Sequence, residues 1–307
     1  MDLTPRPVST RPYITAAPVA TLVPVSESQI AADESWFPGI GGVKLFEARW
    51  RPHGETRACF VLVHGLKDYG GRYGELANAL ASGGVAVHAA DLRGHGRSQG
   101  DRVWIRSFDE YLGDLDLSVR RARESYAGKP LFLFGHSMGG TIVTLYTITR
   151  KPDLQGLIIS AGSLKPGAGV TPSKVRKAKL LSKLLPRLRT LNLQDDLFSR
   201  DPAVVARMST DPMIDDRPGP ARTAAELIKA RETLQPEEGS VTAPLLVLHG
   251  SADKVTNPDG SREFVARAAS ADKTLKIYEG FYHDLLHEPD HSQVLGDIVG
   301  WVASRLP

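Results

Sequence analysis

A chain of 307 residues, 41% hydrophobic and 24% charged, is long enough to bury the core of one large α/β domain with room for an insertion. Its net charge of +3 is too small to argue for a nucleic-acid partner, and no run approaches the ~20 apolar residues needed to cross a bilayer. The single cysteine, Cys59, excludes an internal disulfide and any multi-cysteine metal site, and its place in an apolar run marks it as core.

Residues 1–35 carry Pro5, Pro7, Pro12, Pro18 and Pro24 among small residues, which reads as an extended or disordered arm. A secretory signal needs an unbroken apolar core, and Ile14 to Val25 is interrupted by Pro18 and Pro24, so a cytoplasmic location is expected. The fold begins near Trp36. A Gly-rich turn at 39–42 leads into Val43–Trp50, where Lys44, Glu47 and Arg49 among apolar neighbours predict a partly solvated edge strand. Ala58–Val63 is apolar throughout and suits a central parallel strand; it ends in the Gly-rich stretch His64–Tyr73, at the strand end where open α/β sheets place ligands. A helix to Ser82, a strand over 85–90 and a helix over 108–126 follow. The glycines of Asp91–Ser98 match no phosphate-binding pattern, so a structural turn is expected there.

The chain then reaches Phe132-Leu133-Phe134-Gly135-His136-Ser137-Met138-Gly139-Gly140. An apolar strand running through Gly-x-Ser-x-Gly into a helical run describes a nucleophile elbow, with Ser137 on the sharp turn and the Met138 amide aimed where an oxyanion forms. Leu66, after the earlier strand, can supply the second amide. Residues 156–160 read as another buried strand. From 163 to 238 no clear strand candidate occurs, only helical pieces opened by Asp201-Pro202 and Pro220, which predicts a helical cap inserted over the sheet. The core resumes at 239 with a strand over 244–250, Asp253 in the loop after it, a helix over 261–269, a strand over 274–278, His283 in the next loop and a closing helix over 290–305. The core is thus 36–162 with 239–307, a mostly parallel doubly wound sheet.

A serine hydroxyl needs a base, and the base a carboxylate to fix its tautomer. His283 and Asp253 fit in the chain order Ser, acid, His; His64, His95 and His136 are rival bases that precede or adjoin the nucleophile, and Asp284 is a rival acid. His283, His287 and His291 recur every four residues, but Pro289 interrupts the helix that would stack them, so no metal is expected.

Between Gln155 and Gln194 lie eight Lys/Arg and no Asp or Glu, so the rest of the chain is net negative. On a helical projection Arg176, Lys179, Lys183 and Arg187 fall on one side, and Ala178, Leu181, Leu184, Leu185 and Leu188 on the other, with Pro186 ending or kinking the helix. Two readings stand: a cap helix meeting anionic membrane surfaces, or leucines sealing an acyl tunnel beneath a solvated basic face.

These segments together resemble the monoacylglycerol lipase and lysophospholipase branch of the α/β-hydrolases, and plant caffeoylshikimate esterases, over roughly 36–305. The match rests on His64-Gly65 with Gly71-Arg72-Tyr73, Asp91–Ser98, Gly135–Gly140, Gly250–Val255 and Tyr282-His283. The resemblance implies the α/β-hydrolase fold, Ser137, Asp253 and His283 as triad, the Leu66 and Met138 amides as oxyanion hole, Asp68 and Arg72 as glycerol contacts, and no cofactor. Two departures stand out: the family usually has Glu at Asp68, and the lipases' second histidine falls at Leu286. The expected activity is hydrolysis of a monoacylglycerol, with a lysophospholipase, a small-ester carboxylesterase, or a non-catalytic ligand receptor as alternatives.

Overall fold

The computed structural model describes residues 30–165 and 170–307. β1 (Asp33–Pro38) and β2 (Lys44–Trp50) pair antiparallel around Gly41 and Gly42, whose φ values of 72° and 79° only glycine adopts freely. β3 (Ala58–Val63), β4 (Val85–Ala90), β5 (Leu131–His136) and β6 (Gly156–Ser160) form from the apolar runs. Past two short strands, β7 (Arg189–Leu191) and β8 (Gly219–Pro220), come β9 (Leu245–Gly250) and β10 (Lys273–Tyr278). Eight strands make one sheet in the order β1-β2-β4-β3-β5-β6-β9-β10, parallel from β4 onward. The helices are α1 (Gly74–Ser82), α2 (Asp109–Ser125), α3 (Met138–Arg150), α4 (Pro172–Leu184), α5 (Pro202–Thr210), α6 (Ala221–Leu234), α7 (Pro258–Arg267) and α8 (Ser292–Ala303).

Side chains alternate across the sheet, so its central strands are apolar on both faces. Cys59, Val61 and Val63 pack with α2, α3 and α7, whereas Ala58, Phe60 and Leu62 pack with α1 and α8. The chain runs from β3 to β4 on one side and returns across β3 to β5 on the other. That reversal opens a crevice beyond the carboxyl ends of β3 and β5, which is where the loop after β3 and Ser137 sit.

Three expectations are corrected. β1 begins at Asp33, inside the segment read as an arm; the rest of that reading, residues 1–29, lies outside the described residues. β2 is not an edge: β1 covers it, and Glu47 is wholly buried, bonded to His88 Nδ1 and Arg121 Nη2 at 3.1 Å each. Its charge reflects a buried ionic cluster tying α2 to the sheet, which strand periodicity cannot distinguish from solvation. The insertion does contain strands, but β7 and β8 span three and two residues, too short to carry a period. Within the insertion, Leu227, Ala230 and Leu234 of α6 belong to the main core, while α4 buries only Ser182.

Candidate active site

β5 delivers the chain to Ser137 at φ 54° and ψ −117°, and α3 starts at the next residue. Such backbone strain costs on the order of 1–3 kcal/mol and persists only where the surroundings enforce it. Here the enforcement is visible. A Cβ on Gly135 would sit 2.3 Å from the Gly139 carbonyl oxygen, and one on Gly139 would sit 2.2 Å from that of Val63. Ser137 N donates to the Ser160 carbonyl at 2.9 Å, and Ser163 N to the Ser137 carbonyl at 3.0 Å, pinning the turn to the end of β6.

The loop after β3 closes on this turn: a Cβ on Gly65 would lie 3.0 Å from Ser137 Cβ. Among the described residues Leu66 N makes no backbone hydrogen bond, and Met138 N stands in the first turn of α3, where the helix supplies no acceptor.

His283 is fully enclosed, with Nδ1 2.8 Å from Asp253 Oδ2 and Nε2 without a partner among the described residues. Asp253 Oδ1 accepts from the amides of Val255 (2.8 Å) and Thr256 (3.0 Å), while Oδ2 also takes the Thr256 hydroxyl (2.8 Å) and His249 Nε2 (3.0 Å). Burial works against the carboxylate's charge, yet His283 and His249 outweigh it and hold the group far below the usual carboxylate range. Sequence reasoning missed His249, which Ser261 Oγ holds at 2.7 Å from Nδ1, and Phe198 of the insertion, whose ring stands edge-on to His283 at 5.3 Å.

The rival bases are held or weakened by their surroundings. His64 Nε2 accepts from Leu92 N at 2.9 Å and its Nδ1 faces the Gly65 carbonyl at 2.8 Å. Burial, then His64, lowers the pKa of His95 to about 3, and burial, then His283, lowers that of His136 to about 4, which makes both weak proton acceptors. The rival acid Asp284 turns away from His283. Its Oδ2 takes Arg72 Nη2 at 2.6 Å and its Oδ1 takes His287 Nδ1 at 2.8 Å. Burial opposes its charge, but Arg72 and His287 keep its carboxyl well below the ordinary value. Asp284→Asn is therefore expected to destabilise the fold by on the order of 3 kcal/mol by unbalancing a buried ion pair, while costing less turnover than Asp253→Asn. Thermal melts read alongside kcat check this; the reverse ranking in kcat would make Asp284 the acid.

Asp68 and Arg72 are placed differently from what the resemblance implies. Asp68 is buried, and its two oxygens accept from Tyr69 N (2.8 Å), Arg72 Nη1 (2.9 Å), Tyr73 Oη (2.7 Å) and Gly65 N (3.3 Å). Four donors fill a carboxylate's acceptor capacity, so Asp68 braces the loop internally and leaves nothing for a glycerol hydroxyl. Arg72 bridges Asp68 to Asp284. Among the described residues no group of three or more His, Cys, Asp or Glu can hold a metal, and His291 bonds Glu75 Oε2 at 3.0 Å.

Residues 54–290 match the hydrolase family described as serine aminopeptidase, S33. The chain belongs to that family. Within it the chain falls in the monoglyceride lipase branch, being 38% identical over 273 residues to the monoacylglycerol lipase of Mycolicibacterium smegmatis, with 89% of this chain and 98% of that one covered. The caffeoylshikimate esterase of Arabidopsis thaliana is 32% identical over 285 residues, covering 89% and 86% of the two chains. The crystal structure of the Paleococcus ferrophilus monoacylglycerol lipase superposes with a TM-score of 0.77 at 33% identity, covering 85% of this chain and 99% of that one.

Proposed function

We propose that this chain is a serine ester hydrolase that releases a fatty acid from a monoacylglycerol through an acyl-enzyme. The observation that carries the reading is the His283–Asp253 pair, 2.8 Å apart, together with a strained Ser137 turn at the start of α3. His283 Nε2 takes the proton as Ser137 Oγ attacks the ester carbonyl, and the oxyanion is received by the amides of Leu66 and Met138. Collapse expels the alcohol, which takes the proton from His283. Water, deprotonated by the same nitrogen, then attacks the acyl-enzyme and frees the acid and Ser137. Asp253 holds Nδ1 protonated throughout, and Asp68 and Arg72 brace the loop that carries Leu66. The similarity to the two monoacylglycerol lipases above supports glycerol as the alcohol. Turnover of a panel of monoacylglycerols, lysophospholipids and short p-nitrophenyl esters tests it: a preference for lysophospholipids or short esters would move the assignment to those classes, and no turnover with no fluorophosphonate labelling would leave a ligand receptor.

The insertion also supports contact with a lipid surface. Ala178 and Leu181 are half-buried, whereas Leu180, Leu184, Leu185 and Leu188 are 45–69% exposed and Val170 is 42% exposed. They lie among Arg176, Lys177 and Lys183, all exposed, whereas Lys179 is paired with Glu232 at 2.7 Å and Arg187 with Asp101 at 2.6 Å. An apolar ridge rimmed by cations suits anionic headgroups, each free cation contributing about 1 kcal/mol near the surface. Among the described residues no helix is long and apolar enough to cross a membrane. Sedimentation with phosphatidylglycerol vesicles is expected to weaken with salt, with Lys177→Glu plus Lys183→Glu, and with Leu184→Ser plus Leu185→Ser, while turnover of a soluble short ester is unchanged. Equal sedimentation by wild type and both double variants would remove the membrane from the account.

A further inference from the structure

One short stretch of the insertion touches both catalytic loops. At its start Asp195 Oδ1 meets Lys67 Nζ at 2.5 Å, and Lys67 is the residue next to Leu66. Three residues on, Phe198 stands over the His283 ring, and its carbonyl accepts from Asp284 N at 2.7 Å. Ser199 Oγ donates to the His287 carbonyl at 2.8 Å, and Arg200 pairs with Glu288. Phe198 is seated in its own apolar cluster with Met208 and Ile214, against which Tyr69 and Val255 pack. A second tie runs from the β3 loop to the insertion, Tyr69 Oη donating to Asp211 Oδ2 at 2.8 Å. Residues 195–200 thus form a strap anchored at both ends, in contrast to the exposed α4.

Lys67 is unusual in three respects. Its backbone is left-handed, with φ at 54°, a conformation that disfavours any residue carrying a Cβ. Its side chain is only 6% exposed, and Asp195 is the sole carboxylate its ammonium meets among the described residues. Burying a lysine and freezing its four-carbon stem are both unfavourable, and a buried ion pair often gives no net stability over an apolar substitute. What the pair does supply is a fixed distance between the strap and the peptide that follows the Leu66 amide.

We propose that Lys67 is a positioning residue for ester hydrolysis: its ion pair with Asp195 locks the oxyanion loop to the strap that covers His283, so that the electrophile's cradle and the base are held in one frame. The proposal rests on the reading of Leu66 as an oxyanion donor. Stabilisation of an oxyanion is steeply sensitive to donor placement, because only a donor aimed at the developing charge lowers the barrier.

The test uses Lys67→Met, Asp195→Asn and the double variant in the full chain, reading kcat, KM, the fluorophosphonate labelling rate and the melting temperature on a soluble p-nitrophenyl ester. Each single variant is expected to lose about 10–100-fold in kcat and labelling rate with KM little changed. Each also melts lower, because one buried charge is left unpaired. The double variant leaves no orphan charge and should regain the melting temperature, yet keep the low kcat of the single variants. If kcat returned together with the melting temperature, or if the single variants kept wild-type kcat, Lys67 would be a structural residue only and the proposal would fall. A wild type that took no label at all would overturn the hydrolase reading, and this proposal with it, so the two failures are told apart by the wild-type arm.

Discussion

Ser137→Ala is expected to lower ester turnover by about 10⁴–10⁶-fold and to abolish labelling by a fluorophosphonate while the protein stays folded. The loss is large because the change removes the atom that becomes the acyl carrier, leaving the amides of Leu66 and Met138 and the binding surface to polarise an ester for attack by water alone. The fold should survive because the turn is held by backbone and by glycine, not by the hydroxyl. Ser137 N still donates to Ser160, Ser163 N still donates to Ser137, and the close approaches at Gly135 and Gly139 are untouched. Alanine has the same backbone preferences at φ 54° as serine in this respect, so the stored strain is unchanged. Kinetics on a pure preparation, with a melt as control, check the prediction; retention of a tenth of wild-type activity would sink the nucleophile assignment.

The elbow was legible in the sequence because its chemistry is local. A nucleophile on a turn this sharp forces glycine two residues before and two residues after it, and both constraints are written in adjacent letters. The β3, β5, β6 and β9 strands were legible for a related reason: burial on both faces makes each run apolar, with His136, Ser160 and His249 confined to the carboxyl ends of β5, β6 and β9. What was not legible is long-range. Lys67 and Asp195 are 128 residues apart, and nothing in either neighbourhood marks the other as its partner. Phe198 looks like any apolar residue of a helical insertion until the strap lays it on His283. Glu47 was misjudged because a charge in a strand ordinarily marks solvent, and only the three-dimensional arrival of His88 and Arg121 shows that it is buried and paired. Asp68 shows the opposite limit: its identity and position fit a substrate contact, but four internal donors exhaust it. Leu184, Leu185 and Leu188 were legible as one face but not as exposed, since an amphipathic projection does not say which side meets protein.

Asp253→Asn is expected to cost on the order of 10⁴ in kcat, although the side chain is nearly isosteric. The hydrogen-bond pattern around the carboxylate explains why the substitution has no benign orientation. Oδ1 receives two backbone amides, from Val255 and Thr256, so the amide oxygen of asparagine must take that side; the alternative sets an NH₂ group against two N–H donors. The NH₂ then lies where Oδ2 was, facing His283 Nδ1 at 2.8 Å, together with His249 Nε2 and the Thr256 hydroxyl. As a donor it requires Nδ1 to accept, which moves the imidazole proton to Nε2, the nitrogen that must be bare to take the proton from Ser137. The base is lost by tautomer and not by displacement. Two consequences separate this account from simple unfolding. The loss should not be relieved by raising the pH, because the wrong tautomer is already neutral, and the fluorophosphonate labelling rate should fall in parallel with kcat, since both need Ser137 deprotonated on attack. A variant that kept a tenth of wild-type kcat, or one whose activity recovered at alkaline pH, would show that His283 does not depend on Asp253 for its tautomer.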